Sequence, residues 1–362
     1  MAELKVGIIG VNLTGGWAAE AHIPAIQAIQ GMQLIAVATS RQETAGEAAR
    51  AFGLTKGYGS GAELIQDPEI DIVTVATRVP DHRELLLAAI AAGKHVYSEW
   101  PLAVNIHDAR EIANAARKAG IRHAIGLQLR GSPAVRLAQH LLADGAIGRL
   151  LSIRTYSTTA GFGPDVPVQF AYLEEPAHFA NLVTIQGAHT LDLVLALGGP
   201  LASMAALPSR QYPEIQMGDP RQPSARRTFD HLLMQGLLAS GVSFNLEVGG
   251  GHKHSTPFYL EMIGENGTLR LEGGAPRGVQ SSRLRLLYNG EPHCAGEYSL
   301  NEISEGGINV AGTYLALRDD ILRGTSTVPD FDHAVRLTQL TEDILASPVQ
   351  KTNQAVKAWP QS

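Results

Sequence analysis

A single cysteine, Cys294, stands among 362 residues, which excludes an intramolecular disulfide and a cysteine-based zinc site and suits a reducing compartment. Basic clusters are missing too. Lys and Arg number 29 against 35 Asp and Glu, a formal charge of -6, and no Lys/Arg-rich run supplies a phosphate-neutralising face. Direct nucleic-acid binding is therefore not expected, and any part in gene control would run through a protein partner. Long apolar runs are absent as well: stretches such as Leu85 to Ala92 are too short for a bilayer. The chain enters a strand pattern at Leu4 to Ile9, leaving no room for a signal peptide. These absences predict a soluble, cytoplasmic protein with no membrane partner.

What is present is an ordinary globular composition, 44% hydrophobic and 18% charged, at a length that suggests two domains. In residues 1–128, apolar runs at Val6–Ile9, Gln33–Ala38, Ile70–Ala76 and His95–Ser98 alternate with helical patterns. The helical stretches are Trp17–Ile29, Glu43–Phe52, Asp81–Ala92 and Ile106–Ala119, with a further strand at Arg122–Leu127. That alternation predicts right-handed crossovers and a parallel sheet covered on both faces, a Rossmann-type α/β domain. Residues 129–362 read as an α+β domain. One helix ends at Gly145, and strand patterns then recur from Leu150 to Tyr288 with turns such as Glu265-Asn266-Gly267. This predicts a large open, mainly antiparallel sheet, closed by C-terminal helices within 313–347. The Pro/Gln/Arg-rich stretch from Pro208 to Arg227 reads as a long exposed loop. His252-Lys253-His254 alternates like a strand, and without a third ligand no metal site is expected.

The first strand meets the first helix in Gly7-Ile8-Ile9-Gly10-Val11-Asn12-Leu13-Thr14-Gly15-Gly16-Trp17. This is the dinucleotide fingerprint G-x-G-x-x-G with Asn12 at the second glycine. Gly10 permits the tight turn, Asn12 tolerates a left-handed backbone, and Gly15 lets the backbone approach a pyrophosphate facing the helix N-terminus. Thr14 and Trp17 lie on the same turn. The second strand ends in Ser40-Arg41 rather than in an acid for the ribose hydroxyls. Either NAD or NADP fits, with NADP slightly favoured because Arg41 suits a 2′-phosphate.

Val75-Ala76-Thr77 with Val79-Pro80-Asp81-His82, then Ala92-Gly93-Lys94-His95-Val96 with Glu99-Trp100-Pro101-Leu102-Ala103, resemble the glucose–fructose oxidoreductase / inositol dehydrogenase (Gfo/Idh/MocA) family. Gly187-Ala188-His189 through Asp192, and Gly264-Glu265-Asn266-Gly267, extend the likeness over nearly the whole chain. The resemblance implies that Thr77, Pro80, His82, Glu99, Trp100 and Gln128 line the cofactor. It implies His189 as the catalytic residue; Tyr172, on the loop leading to His189, is a candidate acid or base beside it. Trp100, Gln128, Arg130, Glu174, His178 and Asp192 would bind a sugar-like substrate, with Asp192 orienting His189 or meeting substrate. The second-domain sheet would shape the sugar pocket and join subunits into a homodimer or homotetramer.

Two departures matter. Trp100 occupies the position of the family's catalytic lysine, and an indole N–H cannot act as a base near neutral pH. Ile185 stands where the family often has an Asp. Further segments, Asn12 with Gly16-Trp17-Ala18 and Asp230-His231-Leu232-Leu233, resemble the branch of the fungal galactose-regulon repressor, whose implied properties are NADP and protein binding without known catalysis. Three readings follow. The first is an NAD(P)-dependent oxidoreductase acting on a sugar, glycoside or polyol without the lysine, Trp100 forming a wall beside nicotinamide and sugar. The second is an NAD-dependent glycosidase working by transient oxidation. The third is a dinucleotide-sensing regulator.

Overall fold

A computed structural model describes residues 3–294 and 303–347. The first part alternates strand and helix, with β3 and α3 added to the expected elements: β1 (Leu4–Ile9), α1 (Ile23–Ala28), β2 (Met32–Ala38), α2 (Gln42–Ala51), β3 (Lys56–Tyr58), α3 (Gly61–Gln66), β4 (Ile72–Val75), α4 (Val79–Ala91), β5 (His95–Glu99), α5 (Ile106–Ala119) and β6 (His123–Gly126). The strands are parallel in the order β3-β2-β1-β4-β5-β6. All four residues of β4 are buried because helices cover both faces of the sheet. α5 shows how local chemistry sets an element. Asn105 caps it by accepting from Asp108 N–H, Ala109, Ile112, Ala113 and Ala116 form its buried stripe, and Gly120 ends it at φ +68°.

The second part contains α6 (Pro133–Ala143), β7 (Leu150–Thr158), β8 (Asp165–Val166), α7 (Ala188–Gly198), β9 (Leu201–Ser209), β10 (Glu214–Met217), β11 (Gln222–Ala225), β12 (His231–Leu238), β13 (Ser243–Gly249), β14 (Phe258–Gly264), β15 (Thr268–Gly273), β16 (Arg285–Tyr288), β17 (Glu291–His293), α8 (Glu305–Arg323) and α9 (Phe331–Ala346). Eight strands form one open sheet, β17-β16-β15-β14-β7-β13-β12-β9, antiparallel except where β13 runs parallel to β7. The alternation of its strands buries one face, with Ile153, Leu232, Met234, Phe244, Leu246 and Leu260 inward. The other face leaves Leu207, Leu233, Leu237 and Tyr259 exposed.

α7 lies against β7 and β13. It ends the helical stretch Pro176–Gly198, which has the length and hydropathy of a membrane span, although 83% of that window is buried in the fold. No such run is visible in the sequence, because 176–187 does not read as helix. α8 contributes Val310, Ala311, Tyr314 and Leu317 to the core around Val6, Ile8, Val37 and Tyr97, so it covers the first sheet although it follows the second in the chain. α9 packs on α5 and also meets β9 and α7.

The stretch from Pro208 to Arg227 is not an exposed loop. It carries the end of β9 and the hairpin β10–β11, which joins β8 in a three-stranded sheet. Its anchor is Arg226, buried, donating to the carbonyls of Phe162 (2.9 Å) and Gly163 (2.5 Å) and lying 3.4 Å from both Glu174 and Asp230 carboxylates. Order here comes from a buried charge network, which composition disguises as a loop. Nor is His252-Lys253-His254 a strand. Lys253 turns away to Asp165 at 2.7 Å, and His252 lies edge-on to Tyr156. Arg226→Leu would leave Glu174 and Asp230 without their buried cation. Urea denaturation should then register a loss of about 3–5 kcal/mol, and a change under 1 kcal/mol would refute this anchoring role.

Candidate functional site

The turn after β1 is shaped by close approach. Gly10 has φ +98°, and a Cβ there would stand 2.6 Å from the Ala76 carbonyl and 2.9 Å from Thr77 N. Only glycine fits. Asn12 keeps an ordinary backbone rather than a left-handed one. It earns its place by its side chain, whose Oδ1 accepts from Thr14 N–H (3.0 Å) and Oγ1–H (2.9 Å), while its carbonyl accepts from Gly16 N–H (3.1 Å). Gly15 has φ +108°, and a Cβ there would meet only the Arg277 guanidinium, at 3.9 Å. The exposed backbone from Asn12 to Gly15, bare of a side chain at Gly15, fits a diphosphate. Trp17 braces the turn from behind, its ring lying against Gly306 of α8 and edge-on to His22. Ser40 and Arg41 are exposed beyond β2, and the Arg41 side chain has no partner among the described residues.

The next two loops are tied by His82. Its ring nitrogens lie 2.9 Å from the Pro101 carbonyl and 3.2 Å from the Thr77 carbonyl, and burial pushes its pKa down. The expected cofactor contact at His82 thus gives way to a buried strut, while Thr77 is half-buried and Pro80 exposed at the start of α4. Trp100 also departs from expectation. It is 5% exposed, and its Nε1–H donates to the Thr184 carbonyl at 2.6 Å. The indole is a tie to the second domain and not a wall facing substrate.

Glu99 ends β5 and contacts His22 Nε2 at 2.9 Å; His22 Nδ1 lies 2.8 Å from Tyr314 Oη, which lies 2.8 Å from Thr74 Oγ1. Tyr97 stacks on Tyr314 at 4.7 Å. This buried chain was missed in the sequence, because its members lie up to 292 positions apart. The nearest signal was a histidine one turn into the first helix.

His189 opens α7, 3% exposed, with Nδ1 sealed and unpartnered. Burial lowers its pKa to about 4, against the opposing pull of the Glu99 and Asp192 charges. Asp192 does not hydrogen-bond His189. It accepts from Arg130 Nε–H (2.8 Å) and Nη2–H (2.7 Å) and lies 2.6 Å from His333 Nε2. Burial works to raise its pKa, but the hydrogen bonds from His333 and Arg130 prevail and hold it at about 2. Arg130 and Asp192 are therefore spent on one another rather than on substrate. Gln128, two residues beyond Gly126 on the neighbour strand of Glu99, is buried with Oε1 unpartnered.

Tyr172 stacks under Arg78, 4.6 Å from guanidinium to ring, and burial raises its pKa. It can donate a proton in a hydrogen bond but is no base. His178 holds the same loop through the Tyr172 carbonyl at 2.9 Å. Glu174 is a core residue, accepting from Thr228 Oγ1–H at 3.1 Å beside Arg226, and not a substrate contact. A residue absent from the sequence reading, Arg277, reaches the glycine turn from the second domain, donating to the Gly15 carbonyl at 2.8 Å. One group with metal-ligand side chains, His107, Asp108 and Glu111, is already occupied by Arg83, 2.8 Å from Glu111.

Residues 4–127 match the family described as "Oxidoreductase family, NAD-binding Rossmann fold", and residues 133–273 match "Gal80p, C-terminal domain". The dehydrogenase aclE of Aspergillus oryzae is 30% identical over 330 residues, 87% of each chain. The galactose/lactose metabolism regulatory protein GAL80 of Saccharomyces cerevisiae is 29% identical, over 80% of this chain and 71% of that protein. Among solved structures, a super-repressor mutant of Gal80p from Saccharomyces cerevisiae superposes with TM-score 0.84 at 25% identity, covering 96% of each chain. Levoglucosan dehydrogenase in complex with NADH and L-sorbose shares the fold at TM-score 0.81 and 24% identity, over 96% of this chain and 97% of that one. The turn, the two-sheet architecture and these matches agree: the chain belongs to the Gfo/Idh/MocA family of NAD-binding oxidoreductases.

Proposed function

We propose that this chain is an NAD(P)-dependent oxidoreductase of the cytoplasm that works on a carbinol carbon of a sugar, glycoside or polyol, with His189 in place of the family's lysine. The observation that carries the reading is the state of His189. Its low pKa, about 4, leaves the imidazole neutral at physiological pH, and its sealed Nδ1 leaves Nε2 as the nitrogen to meet a hydroxyl. A bound nicotinamide supplies hydride acceptance or donation. His189 Nε2 takes the hydroxyl proton during oxidation and returns it during reduction, and the nearby Glu99 charge favours the imidazolium that forms. Tyr172, protonated and held by Arg78, donates a hydrogen bond to a substrate oxygen. Gln128 Oε1 takes a donor from cofactor or substrate. The diphosphate rests on the Gly10–Gly15 turn, and Arg41 accepts a 2′-phosphate.

A second reading has its own support. Trp100 fills the lysine position with an indole already bonded to Thr184, and the relatives include a regulatory protein. This reading is a dinucleotide-dependent regulator with a protein partner.

The deciding assay incubates the protein with NAD or NADP and a panel of sugars and glycosides, following reduced nicotinamide and aglycone release together. Net reduction supports the oxidoreductase, and release without net reduction supports a glycosidase. If cofactor binds and neither signal appears, the regulator reading stands. His189→Phe should lower kcat by 100-fold or more, in line with loss of a general base, and a rate near wild type refutes its role. A histidine whose pKa is depressed keeps its basic form down to that pKa. The acid limb of kcat/KM should therefore fall near pH 4, and a limb near 6.5 counts against the buried, neutral His189. Arg41→Ala should weaken NADP about tenfold and leave NAD unchanged, measured by titration calorimetry; equal losses refute the 2′-phosphate contact. The exposed apolar face of the large sheet also supports a homodimer or homotetramer. Light scattering should find Leu233→Glu monomeric, and a monomeric wild type overturns this assembly.

A further inference from the structure

Arg277 lies in the connection between β15 and β16, and that connection is built to hold it still. Its carbonyl accepts from the side-chain amides of Gln186 (2.7 Å) and Gln280 (2.9 Å). The Pro276 carbonyl before it accepts from Thr159 Oγ1–H (2.8 Å) and Ala160 N–H (2.9 Å). Gly278 after it has φ +102°, and a Cβ there would fall 2.0 Å from Gln186 Oε1, so the backbone has one path. From this base the side chain crosses to the first domain. Nη2 donates to the Gly15 carbonyl at 2.8 Å and lies 3.0 Å from Glu20 Oε2.

An interdomain ion pair alone does not account for this. Both side chains are 42% exposed, and such pairs contribute little. The Nε and Nη1 donors of Arg277 have no partner among the described residues, and the guanidinium is held through Nη2 at the Gly15 turn, 3.9 Å from where a Gly15 Cβ would stand. A diphosphate carries two negative charges, whereas the turn offers only partial charges from backbone N–H groups. A guanidinium fork supplies the missing full charge in a geometry suited to phosphate oxygens.

We propose that Arg277 is a cofactor-binding residue supplied by the second domain, gripping the diphosphate at the Gly10–Gly15 turn from the side opposite the backbone amides. This rests on the reading that a dinucleotide occupies that turn. It also makes the dinucleotide a link between the two domains.

Titration calorimetry with NAD and ADP on the full chain tests it, using Arg277→Leu and Glu20→Gln. Loss of a charge-assisted hydrogen bond should weaken both ligands about 10- to 100-fold in Arg277→Leu. Glu20→Gln should tighten both, because it removes a carboxylate beside the phosphates and frees Nη2. A mere domain brace predicts the reverse pattern: either substitution breaks the pair, so both weaken binding alike or neither does. Either result overturns the proposal. The melting midpoint without ligand should be the same for Arg277→Leu and wild type, which separates a binding defect from unfolding, and Arg277→Lys should fall between the two in affinity. A wild type that binds neither NAD nor ADP overturns the dinucleotide reading itself, whereas normal wild-type binding with an unaltered Arg277→Leu overturns only the role of Arg277.

Discussion

The Asp192 carboxylate is almost wholly buried, and a charge in that position must be neutralised by partners the fold brings to it. Arg130 arrives from the turn after β6, with two hydrogen bonds, and His333 from the first turn of α9. Three elements far apart in sequence are thereby fixed around one pair of oxygens. α7 cannot rotate or slide without stranding the charge. Because residues three apart share a helix face, the same constraint fixes His189 relative to the first sheet. The His189 imidazole is positioned by a neighbour it never touches.

The joints around the cleft follow the same rule. Trp100 reaches Thr184, His82 links the loops after β4 and β5, and His22 with Tyr314 holds Glu99 at the end of β5. Trp100, His22 and Tyr314 find their partners inside the protein, where an unpaired group would cost about 1–3 kcal/mol, and the neutral His82 ring donates to one of the two carbonyls that face it. These bonds explain why the exchange of lysine for Trp100 is accommodated. A flexible charge that would have reached the reacting hydroxyl is replaced by a rigid indole with a carbonyl partner.

The sequence revealed those parts of the fold that depend on local pattern. Alternating apolar runs and helical stripes revealed five of the six strands of the first sheet; the short edge strand β3 and the helix α3 after it carry too little apolar pattern to be read. Recurring turns gave the open second sheet, and glycines at fixed offsets gave the cofactor turn. It misled where burial depends on a distant partner. Arg226, Glu174 and Asp230 look like loop residues until they neutralise each other. Arg130 and Asp192 look like substrate contacts until their pairing, 62 positions apart, is seen. Asn12 does not use the left-handed tolerance expected of it: its side chain closes the turn, and its backbone is ordinary. Arg277 carried no motif, since its role comes only from where a rigid connection in one domain meets a turn in the other.

His189 is the residue on which the proposed catalysis rests. Its Nδ1 is buried without a partner, as are Gln128 Oε1, Gln186 Oε1 and Tyr97 Oη. A protein that only held a dinucleotide would be more stable with an apolar side chain of the same volume there. Burial makes the His189 imidazole harder to protonate than in water, and the Glu99 charge offsets only part of that penalty. The ring therefore rests in its neutral, proton-accepting form. A buried unpartnered group calls for an explanation, and under the proposed oxidoreductase reading the one at His189 belongs to the residue that meets substrate.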